Sequence, residues 1–238
     1  MDTAADSRPR PTAADARLRP TAAFFDLDKT LISRSSTLAF VPSFYRHGLI
    51  SGVQAARGAL AQLLFRLRGA DHNQMERIKE QVESLCRGWP VDRVTEIVSA
   101  HLTDTIAPFI YAEARRLLDG HLAAGRDVII VSTSGQEMVG PIGAMLGVSG
   151  VIATKMGHAD GHYTGELEFY AYGEAKATRI RELSAERGYQ LADCFAYSDS
   201  VTDLPMLEVV GHPHAVNPDR QLRRIAADRG WPVLAFAL

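Results

Sequence analysis

Apolar positions along this chain fall into two kinds of pattern. The first is the short unbroken run: Ala22-Ala23-Phe24-Phe25, Asp127-Val128-Ile129-Ile130-Val131, Val151-Ile152-Ala153-Thr154 and Cys194-Phe195-Ala196-Tyr197. Weaker runs occur at His214-Ala215-Val216 and Val233-Leu234-Ala235-Phe236. Their length and their β-branched and aromatic content predict strands buried on both faces. The second pattern has helical spacing and occupies Ile110–Ala124, Gln136–Leu146 and Glu174–Arg187. Each of these segments is followed by a glycine, Gly125, Gly147 or Gly188, the residue that most readily ends a helix. Strands alternating with helices predict an α/β fold, a parallel sheet with helices on both faces. His162–Phe169, entered through Gly161, predicts an antiparallel hairpin arm on that sheet.

Residues 34–105 break the alternation. They hold amphipathic patches at Leu38–His47, Val53–Leu67, Gln74–Cys86 and Asp92–Leu102 and no convincing strand. An all-helical insertion after a first parallel strand is expected to sit as a cap over the C-terminal edge of the sheet, where ligands bind. The predicted organisation is a disordered tail over 1–20, a catalytic core formed by 21–33 and 106–238, and a helical cap over 34–105.

Composition narrows the function classes. Of 238 residues, 46% are hydrophobic, enough for a sizeable core. Twenty-six basic against 28 acidic side chains leave a formal charge of −2, which excludes a strongly basic nucleic-acid binder. Cys86 and Cys194 stand far apart with no metal-knuckle spacing, so a reducing, cytoplasmic setting is expected. The Ala-, Pro- and Arg-rich start lacks the apolar stretch of a signal peptide, and no run is long enough for a membrane-spanning helix.

Candidate chemistry lies at the ends of the predicted strands. In FFDLDKTLI, Asp26 and Asp28 stand two apart at a strand end, which puts both carboxylates on one side. Such a pair repels itself unless a hard cation or a shared proton relieves it. In DVIIVSTSGQE, Ser132 and Thr133 bring hydroxyls and free amides to a helix start, a setting for an anion. In YGEAKATRI, Lys176 falls in a first helical turn, against the helix dipole, which a bound phosphate would justify. In AYSDSVTDLPML, Asp199 and Asp203 follow another strand. All four segments fall at C-terminal strand edges and so line one rim of the sheet. Carboxylates, one ammonium and a hydroxyl/amide nest suit Mg²⁺-assisted phosphoryl transfer to a carboxylate.

These motifs, over roughly residues 22–236, resemble the haloacid-dehalogenase superfamily, and within it the phosphoserine-phosphatase-like subfamily IB with a helical cap after the first strand of a Rossmann-like core. The resemblance implies that Asp26 is the nucleophile forming an aspartyl-phosphate and Asp28 the general acid/base. It implies a Mg²⁺ site made by Asp26, Asp199 and the backbone carbonyl of Asp28, with Asp203 positioning the metal's waters. Ser132 and the Thr133 amide would bind the phosphoryl group and Lys176 would bridge it to Asp26, with Thr30 and Thr202 in support. The implied activity is Mg²⁺-dependent hydrolysis of a small phosphorylated metabolite. Three departures stand out: no carboxylate occurs in Ile32-Ser33-Arg34-Ser35-Ser36, where the phosphoserine enzymes place a Glu; Thr133-Ser134 replaces a Gly pair; and Thr202 replaces an Asn. Two other readings fit parts of the chain. Leu60, Leu63, Leu64 and Phe65 would suit a lipid-like phosphate such as lysophosphatidate, and a non-catalytic phosphate-binding module would keep the rim without the reaction.

Overall fold

The computed structural model describes residues 20–53, 80 and 82–237. The expected tail, most of the helices predicted at Val53–Leu67 and Gln74–Cys86, and the four apolar residues Leu60, Leu63, Leu64 and Phe65 lie outside the described residues.

The strands are β1 (Ala22–Phe25), β2 (Asp127–Gly135), β3 (Gly150–Ala159), β4 (His162–Phe169), β5 (Phe195–Ser198), β6 (His212–Val216) and β7 (Val233–Leu234). They form one seven-stranded sheet in the order β4-β3-β2-β1-β5-β6-β7. Every neighbouring pair is parallel except β3 and β4. The chain builds outward from β1 on one side, then returns to add β5 on the other. That reversal puts the C-terminal end of β1 at the crevice where open α/β sheets bind ligands.

Alternation along the strands splits the apolar core in two. Ala23, Phe25, Val128 and Ile130 join one cluster, and Ala22, Phe24, Ile129 and Val131 join the other. Helices Gln136–Leu146 and Glu174–Arg187 run between the predicted residues and end on left-handed Gly147 and Gly188.

The described part of 34–105 holds helices Ser36–Ala39, Val41–Arg46 and Val91–Ile106. The single helix expected over 38–47 is two, because Pro42 lacks the N–H to continue a helix and instead sits in the first turn of a new one. The helix expected over 92–102 continues to Ile106 and stops before Pro108. Phe40, Phe44, Val94, Ile97, Val98, Leu102 and Ile106 share the first core cluster with the sheet.

The two ends of the insertion are tied together, since Ser33 N donates to Phe109 O (2.8 Å) and Tyr111 N to Leu31 O (3.1 Å). The hairpin arm holds it a second time. Gly88 N donates to Tyr163 O (2.8 Å), Tyr163 N to Trp89 O (3.0 Å) and Val91 N to Gly161 O (2.9 Å). Gly165 is required at that junction: its φ is +77°, and a Cβ there would lie 2.8 Å from Glu83 O. Trp89 packs on Phe44 with ring centroids 5.8 Å apart. No helix among the described residues is long and apolar enough to cross a membrane.

Candidate active site

The apolar run of β1 carries the chain through the middle of the sheet and ends at Asp26, whose N–H still donates to Tyr197 O of β5 (2.9 Å). A tight turn follows, in which Leu27 O accepts from the amides of Leu31 (2.9 Å) and Ile32 (3.1 Å). Lys29 occupies a left-handed conformation in it (φ 65°).

Asp26 faces Lys176. The ammonium, only 1% exposed, donates to Asp26 Oδ1 (2.9 Å) and is equally close to both oxygens of Asp203 (2.8 and 2.9 Å). Lys176 is the third residue of its helix, which Gly173 starts from a positive φ of 55°. The helix dipole disfavours an ammonium there; the two buried carboxylates supply the compensation. Burial works against the charge on Lys176, yet Asp203 and Asp26 together hold its pKa above the ordinary lysine value. Ser198, fully buried at the end of β5, donates to Asp203 Oδ2 (2.8 Å).

Burial raises the Asp26 carboxyl well above the usual range; Lys176 opposes the rise, while Asp203 and Asp199 add to it. Asp199 is half-buried at the same end of the sheet and is pushed up to about 7, chiefly by burial, with Lys29 opposing and Asp203 adding. One ammonium therefore stands among the carboxylates of Asp26, Asp199 and Asp203, and for Asp26 and Asp199 burial and nearby negative charge disfavour the charged form.

Asp28 turns to different partners. Its Oδ1 accepts from the Ser36 amide (2.9 Å) and its Oδ2 from Ser134 Oγ (3.4 Å). Ser134 Oγ in turn lies 2.8 Å from Ser36 Oγ and 3.1 Å from Thr37 Oγ1. Burial raises Asp28, and the amide and side chain of Ser36, the Ser35 side chain and the charge of Lys176 pull against it.

The Asp28 network reaches the end of β2 through Ser134. Its register against β3 jumps from Ser132↔Ala153 to Gly135↔Thr154, so Thr133 and Ser134 bulge out of the ladder. Ser132 is buried, and its Oγ accepts from Ser134 N (3.2 Å). The Thr133 hydroxyl points elsewhere, donating to Ala171 O (2.9 Å), while Thr154 Oγ1 donates to Thr133 O (2.7 Å). These bonds tie the bulge to the loop that leads to Lys176.

The structure thus joins Asp26, Lys176 and Asp203 in direct contact, with Asp199 within electrostatic reach. Asp28 stands beside them in its own network. Thr30, expected to brace the turn, is fully buried, and its hydroxyl has no partner among the described residues. Thr202 bonds locally to Ser200, through its N–H (3.3 Å) and its hydroxyl (3.0 Å). Arg34 is exposed, with its guanidinium 3.2 Å from the Phe109 ring centroid. His212 and His214 stack on Phe195 and Tyr197 as part of the packing. Among the described residues no three His, Cys, Asp or Glu side chains are grouped to hold a metal by themselves.

Sequence reasoning missed Ser36, Thr37 and Ser134, whose only signal was the density of hydroxyls in SRSST and STSG. It also missed Asp219. That carboxylate caps helix Arg220–Arg229 through the amides of Gln221 (2.9 Å) and Leu222 (2.7 Å) and accepts from Val201 N (2.8 Å) in the Asp199–Asp203 loop. Its own N–H donates to Asp199 O (2.8 Å). The Asn-Pro-Asp-Arg run before an amphipathic helix was a readable cap signal.

A carboxylate at a strand end, a buried lysine bonded to it and a second acidic loop thus meet at one end of the sheet of an α/β core. The haloacid dehalogenase-like hydrolase family model matches residues 23–208, and the chain belongs to that family. It falls with the family's phosphatases, in the phosphoserine-phosphatase-like branch. It is 59% identical to an inhibition of morphological differentiation protein of Streptomyces azureus, over 90% of this chain and 78% of that one. It is 53% identical to a probable phosphatase of Mycobacterium tuberculosis, over 90% of this chain and 75% of that one. A histidinol-phosphatase of Neisseria meningitidis is 31% identical, over 90% of this chain and 98% of its own. Among solved structures, a Bordetella pertussis protein of unknown function superposes with a TM-score of 0.78 at 32% identity, covering 90% of this chain and 98% of that one. A substrate-bound phosphoserine phosphatase superposes at 0.66 with 17% identity, covering 91% and 93%, which speaks for the fold.

Proposed function

We propose that this protein is a Mg²⁺-dependent phosphomonoesterase that hydrolyses a small phosphorylated metabolite through an aspartyl-phosphate on Asp26. The observation that carries the reading is the division of labour between Asp26, bonded to a buried ammonium, and Asp28, held only by neutral donors. A carboxylate nucleophile must be charged, and Lys176 favours that form of Asp26. An acid/base group must gain and lose a proton, which neutral neighbours permit for Asp28.

In the first half-reaction an Asp26 oxygen attacks phosphorus, the ester P–O bond breaks and Asp28 gives its proton to the departing oxygen. In the second, Asp28 takes a proton from water as that water's oxygen attacks phosphorus and the Asp26–phosphorus bond breaks. Ser132 and the Thr133 amide receive the phosphoryl oxygens. Lys176 holds Asp26 against Asp203 and offsets charge on the transferring group.

The donor set suits Mg²⁺. It offers carboxylates and carbonyls rather than thiolates or imidazoles, and its unbalanced negative charge calls for a further cation. Asp26, Asp199 and the Asp28 carbonyl would hold the ion, and water would complete a coordination shell that Mg²⁺ ordinarily keeps partly hydrated. When bound, it would neutralise phosphoryl charge and stabilise the ionised carboxylates. Residues 34–105 act in this reading as a cap over the reaction, supported by the bond from the Ser36 amide to Asp28. The cytoplasm suits the free thiols Cys86 and Cys194.

The test is hydrolysis of para-nitrophenyl phosphate with and without Mg²⁺. We expect wild-type turnover that requires the metal and a loss of at least about a thousandfold in Asp26→Asn. Equal rates in wild type and variant would overturn the reading.

A further inference from the structure

The two oxygens of Asp28 are held in unlike ways. Oδ1 accepts from a backbone N–H, that of Ser36 (2.9 Å), which can only donate. Oδ2 faces a hydroxyl, Ser134 Oγ (3.4 Å), which can give or take a hydrogen bond. That hydroxyl is itself buried and fixed from behind by Ser36 Oγ (2.8 Å) and Thr37 Oγ1 (3.1 Å). Ser36 is fully buried. Among the described residues no cation bonds the Ser134 hydroxyl, and its position in the β2 bulge is set by the Ser134 amide bonded to Ser132 Oγ (3.2 Å). A hydroxyl held from behind at two points fixes the direction from which Oδ2 is met. The chain also spans the molecule's two parts, since Ser36 and Thr37 begin the insertion and Ser134 closes β2, 98 residues away from Ser36.

We propose that Ser134 is the positioning residue for Asp28, and that Ser36 and Thr37 hold Ser134 in place, so that the start of the insertion sets the aim of the acid toward the leaving oxygen. The inference rests on the reading of Asp28 as the group that protonates that oxygen. Ser134 does not touch the reacting atoms in this account; it acts through Asp28. Its effect therefore scales with how much the leaving group needs a proton.

The experiment is kcat/KM for a series of substituted phenyl phosphates whose leaving phenols range from strongly acidic (para-nitrophenol) to weakly acidic (para-methoxyphenol), at saturating Mg²⁺. kcat/KM reports the step in which the phenol departs. For Ser134→Ala we expect little change with para-nitrophenyl phosphate and about a tenfold loss with para-methoxyphenyl phosphate, the size set by one hydrogen bond to a charged or acidic group. Ser36→Ala, which keeps the amide and removes the hydroxyl, tilts the series in the same direction by a smaller factor. Ser134→Thr, which restores a hydroxyl, returns the wild-type slope. A loss equal across the series, or none, overturns the proposal, as does failure of Ser134→Thr to rescue. Asp28→Asn in the same series separates the two claims. A flat response there removes the acid reading itself, whereas a steep one beside a flat Ser134→Ala removes only the role of Ser134.

Discussion

Asp26 and Asp28 are separated by one residue in the chain, yet they sit in two chemically distinct halves of one site. The Asp26 half is ionic: it joins β1, the helix that starts at Glu174 and the loop after β5 around one buried ammonium. The Asp28 half is neutral: it joins the β2 bulge to the start of the insertion through hydroxyls and an amide. Burial raises both carboxylates, and different partners oppose the rise: at Asp26 chiefly the bonded ammonium of Lys176, at Asp28 chiefly the donors of Ser36 and Ser35.

The most severe way to break the comparison is to remove the cation. Lys176→Met should cost at least about a hundredfold in turnover, and about 3–5 kcal/mol of stability at neutral pH, since Asp26 and Asp203 stay buried without their partner. Because burial raises the pKa of Asp26, acid would neutralise that carboxylate, and chemical denaturation should show the stability deficit shrinking as pH is lowered. A Lys176→Met protein as stable as wild type would mean that the ionic half is not held by charge.

Next in size is Asp28→Asn, which removes proton transfer and leaves the ionic half intact. Its loss should be about 10²–10⁴-fold on substrates with poor leaving groups, and its thermal stability should stay near that of wild type. If both fell together, the neutral half would be structural support for the ionic one.

A third test sharpens the electrostatics of the rim. Asp199 has a folded-state pKa of about 7, above the ordinary carboxylate value near ~3.9. The metal-free folded protein therefore binds more protons at this site than the unfolded chain does across that window, and Asp199 makes stability fall as pH rises through it. His121, buried and lowered to about 4, gives the opposite slope up to its ordinary value near ~6.5, so the comparison must be between proteins that share it. In thermal melts without metal, Asp199→Asn should gain on wild type as pH rises toward about 7 and hold that gain above it. Adding Mg²⁺ should raise the wild-type melting temperature more than that of the variant. A constant difference between the two across the window would contradict this.

The smallest effect is expected at Asp219, which lies behind the ionic half. Asp219→Ala removes the cap of helix Arg220–Arg229 and the acceptor for Val201 N, and should cost about 1–2 kcal/mol in denaturant unfolding. A loss within the error of the denaturant unfolding curve would mean that solvent replaces those bonds.

The ionic half was the more legible of the two in sequence. Asp26, Lys176, Asp199 and Asp203 each stand at the end of a strong local pattern, an apolar strand or a helix start, and alternation places those ends on one rim. Helices 136–146 and 174–187 were legible to the residue because a glycine able to adopt a left-handed conformation closes each. The neutral half was not legible. Serines and threonines carry no spacing signal of their own, and the contact from Ser36 to Ser134 depends on how an insertion folds back across the sheet. The direct bond between Lys176 and Asp203 was also hidden, since the expected role of Asp203 pointed it at water. The break at Phe40 within the predicted 38–47 helix had a visible cause in Pro42, and amphipathic spacing outweighed it in the reading.

The central claim is that Asp26 carries the phosphoryl group between the two half-reactions. It is tested most directly by acid-quenching the enzyme during turnover of para-nitrophenyl phosphate, reducing the acyl-phosphate with borohydride and locating the modified residue by tandem mass spectrometry. The account predicts homoserine in place of aspartate at position 26 and no such product from Asp26→Asn. Reduction at Asp28 or at any other carboxylate, or none under steady turnover, would contradict it.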